Sequence, residues 1–344
     1  MKEIRFAVLG CGRIGPRHAE KLQKVEGAQL VAVCDVVRER ADAIAKQYGV
    51  TAYYSIDDLL GDANVDFVNV CTPSGLHPEH AIRALEAGKN VLCEKPMAFR
   101  EADARAMLAA AEKSGKALYV VKQNRYNPPV KLVRELLSEG KLGDPIACVV
   151  NMYWNRNAEY YKNDPWRGTL ALDGGTLYTQ ASHFADLMLH FMGKPRSVFA
   201  LMGTKKQPIE IEDTGVIAVD FASGAMGSFN YTTCATKKNF EGSLTLFGTK
   251  GTVKIGGEYL NTIECFQVEG VETYELEHSD AGPNDYGTYK GSMSNHDKVF
   301  ADIVAHVEGG GNGMLSFGDD AVKVVSFMER AMESAKKGEK IGVL

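Results

Sequence analysis

Twenty residues separate Gly15, the last glycine of the turn Gly10-Cys11-Gly12-Arg13-Ile14-Gly15, from Asp35, which stands at the end of the apolar run Leu30-Val31-Ala32-Val33-Cys34. A second apolar run, Ile4-Arg5-Phe6-Ala7-Val8-Leu9, leads into the turn. Strand, glycine turn, helix and acid at this interval form a dinucleotide fingerprint. The glycines permit a tight turn and close approach of a pyrophosphate, and the helix that follows offers its N-terminal amides to the anion. Gly10, Gly12, Arg13, Ile14 and Gly15 are therefore expected at the pyrophosphate, and Asp35 at the hydroxyls of the adenosine ribose. A 2′-phosphate would meet the Asp35 charge, with Val36 and Val37 beside it, so NAD is expected rather than NADP. Arg38 and Arg40 keep a second option open, since they either reach toward such a phosphate or lie as solvated helix residues.

At 344 residues the chain exceeds a single hydrophobic core and predicts two domains. A hydrophobic share of 45% against 24% charged describes a folded chain and excludes a disordered one. The formal net charge of −5, without a basic run, argues against nucleic acid and anionic membrane as partners. Arg5 and the glycine turn interrupt any apolar stretch that could serve as a secretory leader, and no stretch approaches the roughly 18 apolar residues of a membrane span. The 7 cysteines form no CxxC pair and sit mostly in apolar runs, which fits reduced core thiols and a cytoplasmic location.

Helices are expected over 38–48 with Gly49 as stop, 56–60 capped by Ser55, 78–87 stopped by Gly88 and 100–114 ended by Gly115. Strands over 65–70, 90–93 and 117–121 alternate with them. This repetition specifies an α/β domain over residues 1–122, a doubly wound parallel Rossmann sheet whose ligand lies at the carboxyl ends of its strands. Beyond it, a helix over 129–139 precedes strand candidates at 146–154, 197–201, 214–221, 225–231, 244–247, 252–255 and 263–269, with helices at 179–192, 297–308 and 319–337. Residues 123–344 thus predict an α+β domain with a large, mostly antiparallel sheet, the last helix being free to pack back on the first domain. Three polar clusters, Cys71-Thr72-Pro73-Ser74, Glu94-Lys95-Pro96 and Gln123-Asn124-Arg125-Tyr126-Asn127-Pro128, follow successive Rossmann strands and converge on one crevice.

The glycine turn, Thr72-Pro73-Ser74 with His77, Glu94-Lys95-Pro96, and Gly174-Gly175 followed by His183 and Asp186 carry a resemblance over essentially the whole chain. The chain resembles the glucose-fructose oxidoreductase, inositol dehydrogenase and rhizopine catabolism (Gfo/Idh/MocA) superfamily of NAD(P)-dependent sugar oxidoreductases. Within it, Gln123 to Pro128, Tyr160-Tyr161, Trp166-Arg167-Gly168-Thr169 and Asp173-Gly174-Gly175 look like the UDP-N-acetylglucosaminuronate 3-dehydrogenases of surface-polysaccharide pathways. Those enzymes oxidise the sugar 3-hydroxyl to a ketone that an aminotransferase then uses.

The resemblance implies that Thr72, Pro73, Ser74, His77, Glu94, Lys95 and Gln123 line the cofactor, and that Lys95 and His183 are the proton-transfer pair. Proline after Lys95 restricts its backbone, and in such relatives the Lys-Pro bond is often cis. Apolar strand ends and the positive nicotinamide ring both disfavour the ammonium form, which suits this amine to proton transfer. Spacing alone equally allows a solvated lysine paired with Glu94, and a satisfied core histidine at 183. Four residues before the histidine, where polyol-oxidising relatives commonly carry aspartate, stands Thr179, followed by Gln180; the Asp-His arrangement is absent, as in the nucleotide-sugar relatives.

For an anionic nucleotide sugar, Arg125, Arg156 and Arg167 are the candidate bidentate contacts, with Tyr126, Asn127, Thr179, Gln180 and His183 around the sugar. Tyr160, Tyr161, Trp154 and Trp166 are the candidate stacking surfaces. Each arginine equally suits an ion pair, and each ring equally suits sheet packing. No metal is expected from His77, His80, His183 and Asp186, because two histidines three apart at a helix start commonly cap or face solvent. The expected activity is NAD-dependent oxidation of the 3-hydroxyl of UDP-N-acetylglucosaminuronate. The alternatives are a dehydrogenase of a free sugar or polyol and a silent NAD-binding regulator, which retention of Lys95 and His183 disfavours. The second domain's sheet predicts a homodimer or homotetramer.

Overall fold

The first six strands of the computed structural model are β1 (Ile4–Leu9), β2 (Ala28–Cys34), β3 (Thr51–Tyr53), β4 (Phe67–Val70), β5 (Asn90–Cys93) and β6 (Leu118–Val120); residues 3–162, 164–311 and 313–343 are described. They pair in the order β6-β5-β4-β1-β2-β3, all parallel, and Ser316–Phe317 adds an antiparallel edge beside β6. All four residues of β4 are buried, as a strand covered on both faces requires. Helix ends follow the sequence closely: Arg38–Tyr48 stops at Gly49 and Glu101–Ser114 at Gly115, both left-handed. Ser55 caps the helix Ile56–Leu60 by accepting from the Asp58 N–H. Winding reverses between β1 and β4, the position at which open α/β sheets bind ligands.

The second sheet consists of β7 (Pro145–Tyr153), β8 (Pro195–Gly203), β9 (Thr214–Phe221), β10 (Met226–Thr232), β11 (Glu241–Gly248), β12 (Gly251–Gly256) and β13 (Thr262–Val268). Its order is β13-β12-β11-β7-β10-β9-β8, with Ile341–Gly342 as a further edge beside β8. Every pair is antiparallel except β7 with β10. Val150, Met152, Ile217, Val219, Phe229, Tyr231, Leu244 and Leu246 fill one face, which the helix Ser182–Met192 covers at β7. The other face leaves Phe199, Leu201, Val216 and Met226 exposed.

The first unit comprises Met1–Lys122 and His296–Val322, the second Gln123–Asn295 and Lys323–Leu344. The helix His296–Val307, expected within the second domain, therefore belongs to the first, where it packs against the helix Gly15–Leu22. The helix Gly318–Lys337 begins in the first unit and ends in the second. The helix expected over 179–192 starts at Ser182, and a separate short helix, Thr176–Thr179, precedes it. The short helix Ala158–Lys162 and the hairpin Pro283–Asp285 with Lys290–Met293 had no local signature.

Candidate active site

The glycine turn is shaped by contacts that tolerate no side chain. A Cβ on Gly10, whose φ is +100°, would meet the Cys71 carbonyl at 2.7 Å, and one on Gly15 would meet the Gly10 oxygen at 2.1 Å. Gly12 instead faces space, with nothing within 4 Å of where its Cβ would be. That combination, two glycines packed against backbone and one bare toward the outside, fits a pyrophosphate laid on the turn, next to the half-exposed Arg13 and Ile14. Asp35 is anchored by two amides: Oδ2 accepts from Cys11 N at 2.7 Å and Oδ1 from Val37 N at 2.8 Å. Its remaining lone pairs suit ribose hydroxyls. Arg38 and Arg40 are exposed, and the Arg38 guanidinium lies 4.1 Å over the Tyr54 ring.

At the carboxyl end of β5 the Lys95-Pro96 peptide is cis, and Lys95 is half-buried. The neighbours on either side depart from expectation. Glu94 is no cofactor ligand: it is buried, with Oε1 accepting from His18 Nε2 at 2.8 Å and Oε2 from the Lys95 N–H at 3.1 Å. Its lone pairs are spent inside the fold. His77 likewise turns inward, its Nδ1 at 2.7 Å from the Pro96 oxygen and its Nε2 at 2.9 Å from the Thr72 oxygen. Burial pushes its pKa down against those two carbonyls, and it braces the two loops in place of lining the cofactor. Thr72 Oγ1 bonds His80 Nδ1 at 3.0 Å, Pro73 is half-buried and Ser74 is buried.

In the second unit His183 is buried on the helix Ser182–Met192, with Nε2 3.4 Å from both Gln123 Nε2 and Ser292 Oγ. Gln123, expected at the cofactor, donates to Ser292 Oγ at 2.8 Å and so forms part of the histidine's surroundings. Asp186, one turn beyond, holds Arg125 bidentately at 2.8 and 2.9 Å, both residues being almost fully buried. Arg125, expected at the substrate, is thus an anchor for the helix Ser182–Met192, because its fork is occupied by Asp186. Tyr126 and Asn127 are also internal. Asn127 donates to the carbonyls of Tyr259 and Leu260 at 3.1 and 3.0 Å and accepts from Asn295. Thr179 turns its hydroxyl to the Gly175 carbonyl at 3.0 Å.

The remaining substrate candidates form an arginine and aromatic cluster. Arg156, 1% exposed, donates to Gln180 Oε1 through Nε and Nη2, and to Asn155 O and Asn239 Oδ1 through Nη1. Gln180 completes itself by donating to the Tyr160 hydroxyl at 2.7 Å, so both side chains serve the cluster first. Arg167 pairs with Asp164 at 2.8 Å, donates to the Tyr289 hydroxyl and lies 3.9 Å over the Tyr160 ring. Tyr161 meets Tyr160 edge-on with centroids 4.9 Å apart, and Trp166 is half-buried beneath Arg167. The buried Trp154 ring stacks near Arg156.

His18, His296 and Ser292 were not singled out from the sequence. His18 follows Gly15 by three residues, on the inward face of its helix, and only that periodicity could have marked it. Among the described residues, His18, Glu94 and His296 are a group whose nitrogen and oxygen atoms lie within 4.8 Å of one another. No helix of the described residues is long and apolar enough to cross a membrane.

Comparison with known proteins agrees with this geometry. Residues 4–122 match the model of the oxidoreductase family with NAD-binding Rossmann fold, and residues 130–254 match the GFO/IDH/MocA C-terminal domain. The crystal structure of the WlbA dehydrogenase from Bordetella pertussis, in complex with NADH and UDP-GlcNAcA, is 34% identical, covers 100% of this chain and 99% of its own, and superposes with a TM-score of 0.89. The myo-inositol 2-dehydrogenase of Thermotoga maritima is 29% identical over 73% of this chain and 74% of its own length. The D-apiose dehydrogenase of Paraburkholderia graminis is 25% identical over 99% and 90%. A dinucleotide turn that fits its ligand, a lysine on the Glu-Lys-Pro corner and full-length similarity lead to one conclusion: the chain is an NAD-dependent oxidoreductase of the Gfo/Idh/MocA family.

Proposed function

We propose that the protein oxidises a sugar secondary hydroxyl to a ketone, and that its substrate is the 3-hydroxyl of UDP-N-acetylglucosaminuronate in surface-polysaccharide biosynthesis. One observation carries the choice of an anionic sugar over a neutral polyol. The cluster of Arg156 and Arg167 holds two guanidinium groups, yet only Arg167 has a carboxylate partner among the described residues. Burial pushes the Arg156 pKa down, and tyrosines, not acids, offset that effect. A uronate or diphosphate brought to this region would supply the missing negative charge. Full-length similarity to WlbA, solved with NADH and UDP-GlcNAcA, supports the same substrate class.

NAD, when bound on the glycine turn, supplies the acceptor for the hydride of the oxidised carbon. Asp35 selects the unphosphorylated ribose, since a 2′-phosphate would face its charge. Transfer of the single hydroxyl proton is assigned to Lys95 and His183 together, with Gln123 and Ser292 orienting the His183 ring. Positioning supplies much of the rate, and general-base action adds about 10²–10⁴-fold. We place the enzyme in the cytoplasm, where its free cysteines would stay reduced, and read the exposed apolar sheet face as covered by a second copy in a dimer or tetramer.

The test is a panel of UDP-hexuronates, UDP-hexoses and free polyols with NAD and NADP, followed by absorbance of the reduced ring. The expected result is turnover of UDP-N-acetylglucosaminuronate with NAD and competitive inhibition by UDP. Rapid turnover of unactivated sugars with indifference to UDP would show a free-sugar dehydrogenase instead.

A further inference from the structure

Three buried side chains of the first unit, His18, Glu94 and His296, lie outside the proposed chemistry, and Glu94 links them to the backbone of its lysine. The two Glu94 oxygens divide their work: Oε2 accepts from the Lys95 backbone N–H at 3.1 Å, and Oε1 accepts from His18 Nε2 at 2.8 Å, with His296 Nε2 3.4 Å away. His18 belongs to the helix Gly15–Leu22, which opens directly after the glycine turn, and His296 starts the helix His296–Val307. Phe300 closes the cluster edge-on against the His18 ring at 5.4 Å.

The charge state follows from the surroundings. Burial alone would raise the Glu94 pKa, but hydrogen bonds from His18 and His296 hold it well below the ordinary carboxylate range. Burial, with Glu94 beside them, pushes the Cys71 and Cys93 thiols well up, so neither competes as an anion. Burial also pushes His296 down, and Lys21, whose charge acts in the same direction, is engaged with Asp297 at 3.4 Å. Nδ1 of His18 and of His296 has no hydrogen-bond partner among the described residues. Glu94 is therefore a buried carboxylate held by the His18 ring at one oxygen and by the Lys95 N–H at the other, with the His296 ring beside it.

A metal ion is the competing use of these donors, and two features disfavour it. Metal-bound histidines donate their second ring nitrogen to an acceptor, and these do not. The 2.8 Å separation of His18 and Glu94 is a hydrogen-bond length, shorter than the roughly 3.3 Å between neighbouring ligands of tetrahedral zinc.

We propose that His18 and His296 are positioning residues for Lys95, fixing its backbone through the Glu94 carboxylate and tying it to the helix that opens beneath the nucleotide pyrophosphate. The inference rests on the reading of Lys95 as a proton-transfer residue. It predicts that disturbing His18 alters the lysine's chemistry while leaving nucleotide binding nearly intact. His18→Leu removes the donor, and His18→Gln restores an N–H at a similar distance. The Leu variant is expected to lose about 10–100-fold in kcat, keep its NAD dissociation constant within about threefold, and shift the ionisation seen in the kcat/KM pH profile, with the Gln variant recovering most of each.

A second measurement needs no substrate. The Lys95 amine is titrated by ¹⁵N NMR in the free protein and both variants, and the His18 ring nitrogens are observed in the same samples. A Lys95 titration that moves in the Leu variant and returns in the Gln variant supports the inference even if every sugar tested is inert, an outcome that would remove only the substrate assignment. An unmoved Lys95 titration overturns it, as do ring signals that respond to stoichiometric zinc. Should His18→Leu fail to fold, the same titration in Glu94→Gln decides: an unchanged Lys95 overturns the inference.

Discussion

Lys95, the proposed proton-transfer residue, is half-buried and has its backbone held from both sides, by Glu94 before it and by His77 at the Pro96 carbonyl after it. Lys95→Ala removes the amine and leaves the nucleotide turn untouched. We expect kcat to fall by at least about 10²-fold with NAD binding, followed by protein fluorescence, unchanged; near-normal turnover would refute the assignment. Residues with a local reason to be where they are could be read in advance. Gly10, Gly15 and Asp35 are such cases, because glycines that tolerate no Cβ and an acid at a strand end are properties of a short segment. Glu94, His77, Arg125 and Asn127 carry the chemistry of ligand contacts but are consumed by partners distant in sequence, His18, Pro96, Asp186 and Tyr259 among them. Composition cannot tell a polar group aimed at a ligand from one aimed at its own fold.

At the level of elements, the break between Thr176–Thr179 and Ser182–Met192 shows how tertiary contacts redirect a helical sequence. Glu212 accepts from the Leu177 N–H at 2.7 Å and from the Tyr231 hydroxyl at 3.2 Å. Only a glycine at 175, with φ of +143°, lets its carboxylate approach, since a Cβ there would stand 2.5 Å from Oε2. Burial raises the Glu212 pKa from the ordinary 4.5 to about 7. The unfolded chain therefore releases this proton first, and stability present below about pH 4.5 drains away as pH rises to about 7, by roughly 3 kcal/mol. Glu212→Gln keeps the acceptor and lacks the proton. Its melting temperature should gain on the parent across that interval and run parallel above it, and a variant less stable than the parent at pH 8 would contradict the assignment. Elements with strong local periodicity and glycine stops, such as Arg38–Tyr48 and Thr214–Phe221, match their sequence bounds. The parallel pairing of β7 with β10 and the edge Ser316–Phe317 do not announce themselves, because register across long separations depends on the whole sheet.

For the whole molecule, the exposed apolar face of the second sheet sets the expected assembly. Phe199 and Leu201 on β8, Val216 on β9 and Met226 on β10 lie outward. Leu201→Asp should shift the mass measured by light scattering toward the monomer, and a monomeric parent would dispose of the proposed oligomer. A second global property follows from the path of the chain, which passes from the first unit to the second after Lys122, returns at His296 and leaves again after Val322. The dinucleotide half is thus sewn from two separate stretches, and the later stretch brings His296 to Glu94, the residue before Lys95. Recombination that exchanges everything after residue 122 for a relative's sequence would import a foreign helix into the nucleotide half. Shuffling among such enzymes should therefore yield active chimeras only when both stretches travel together, which makes the nucleotide half and its closing helix a single heritable module despite their distance along the gene.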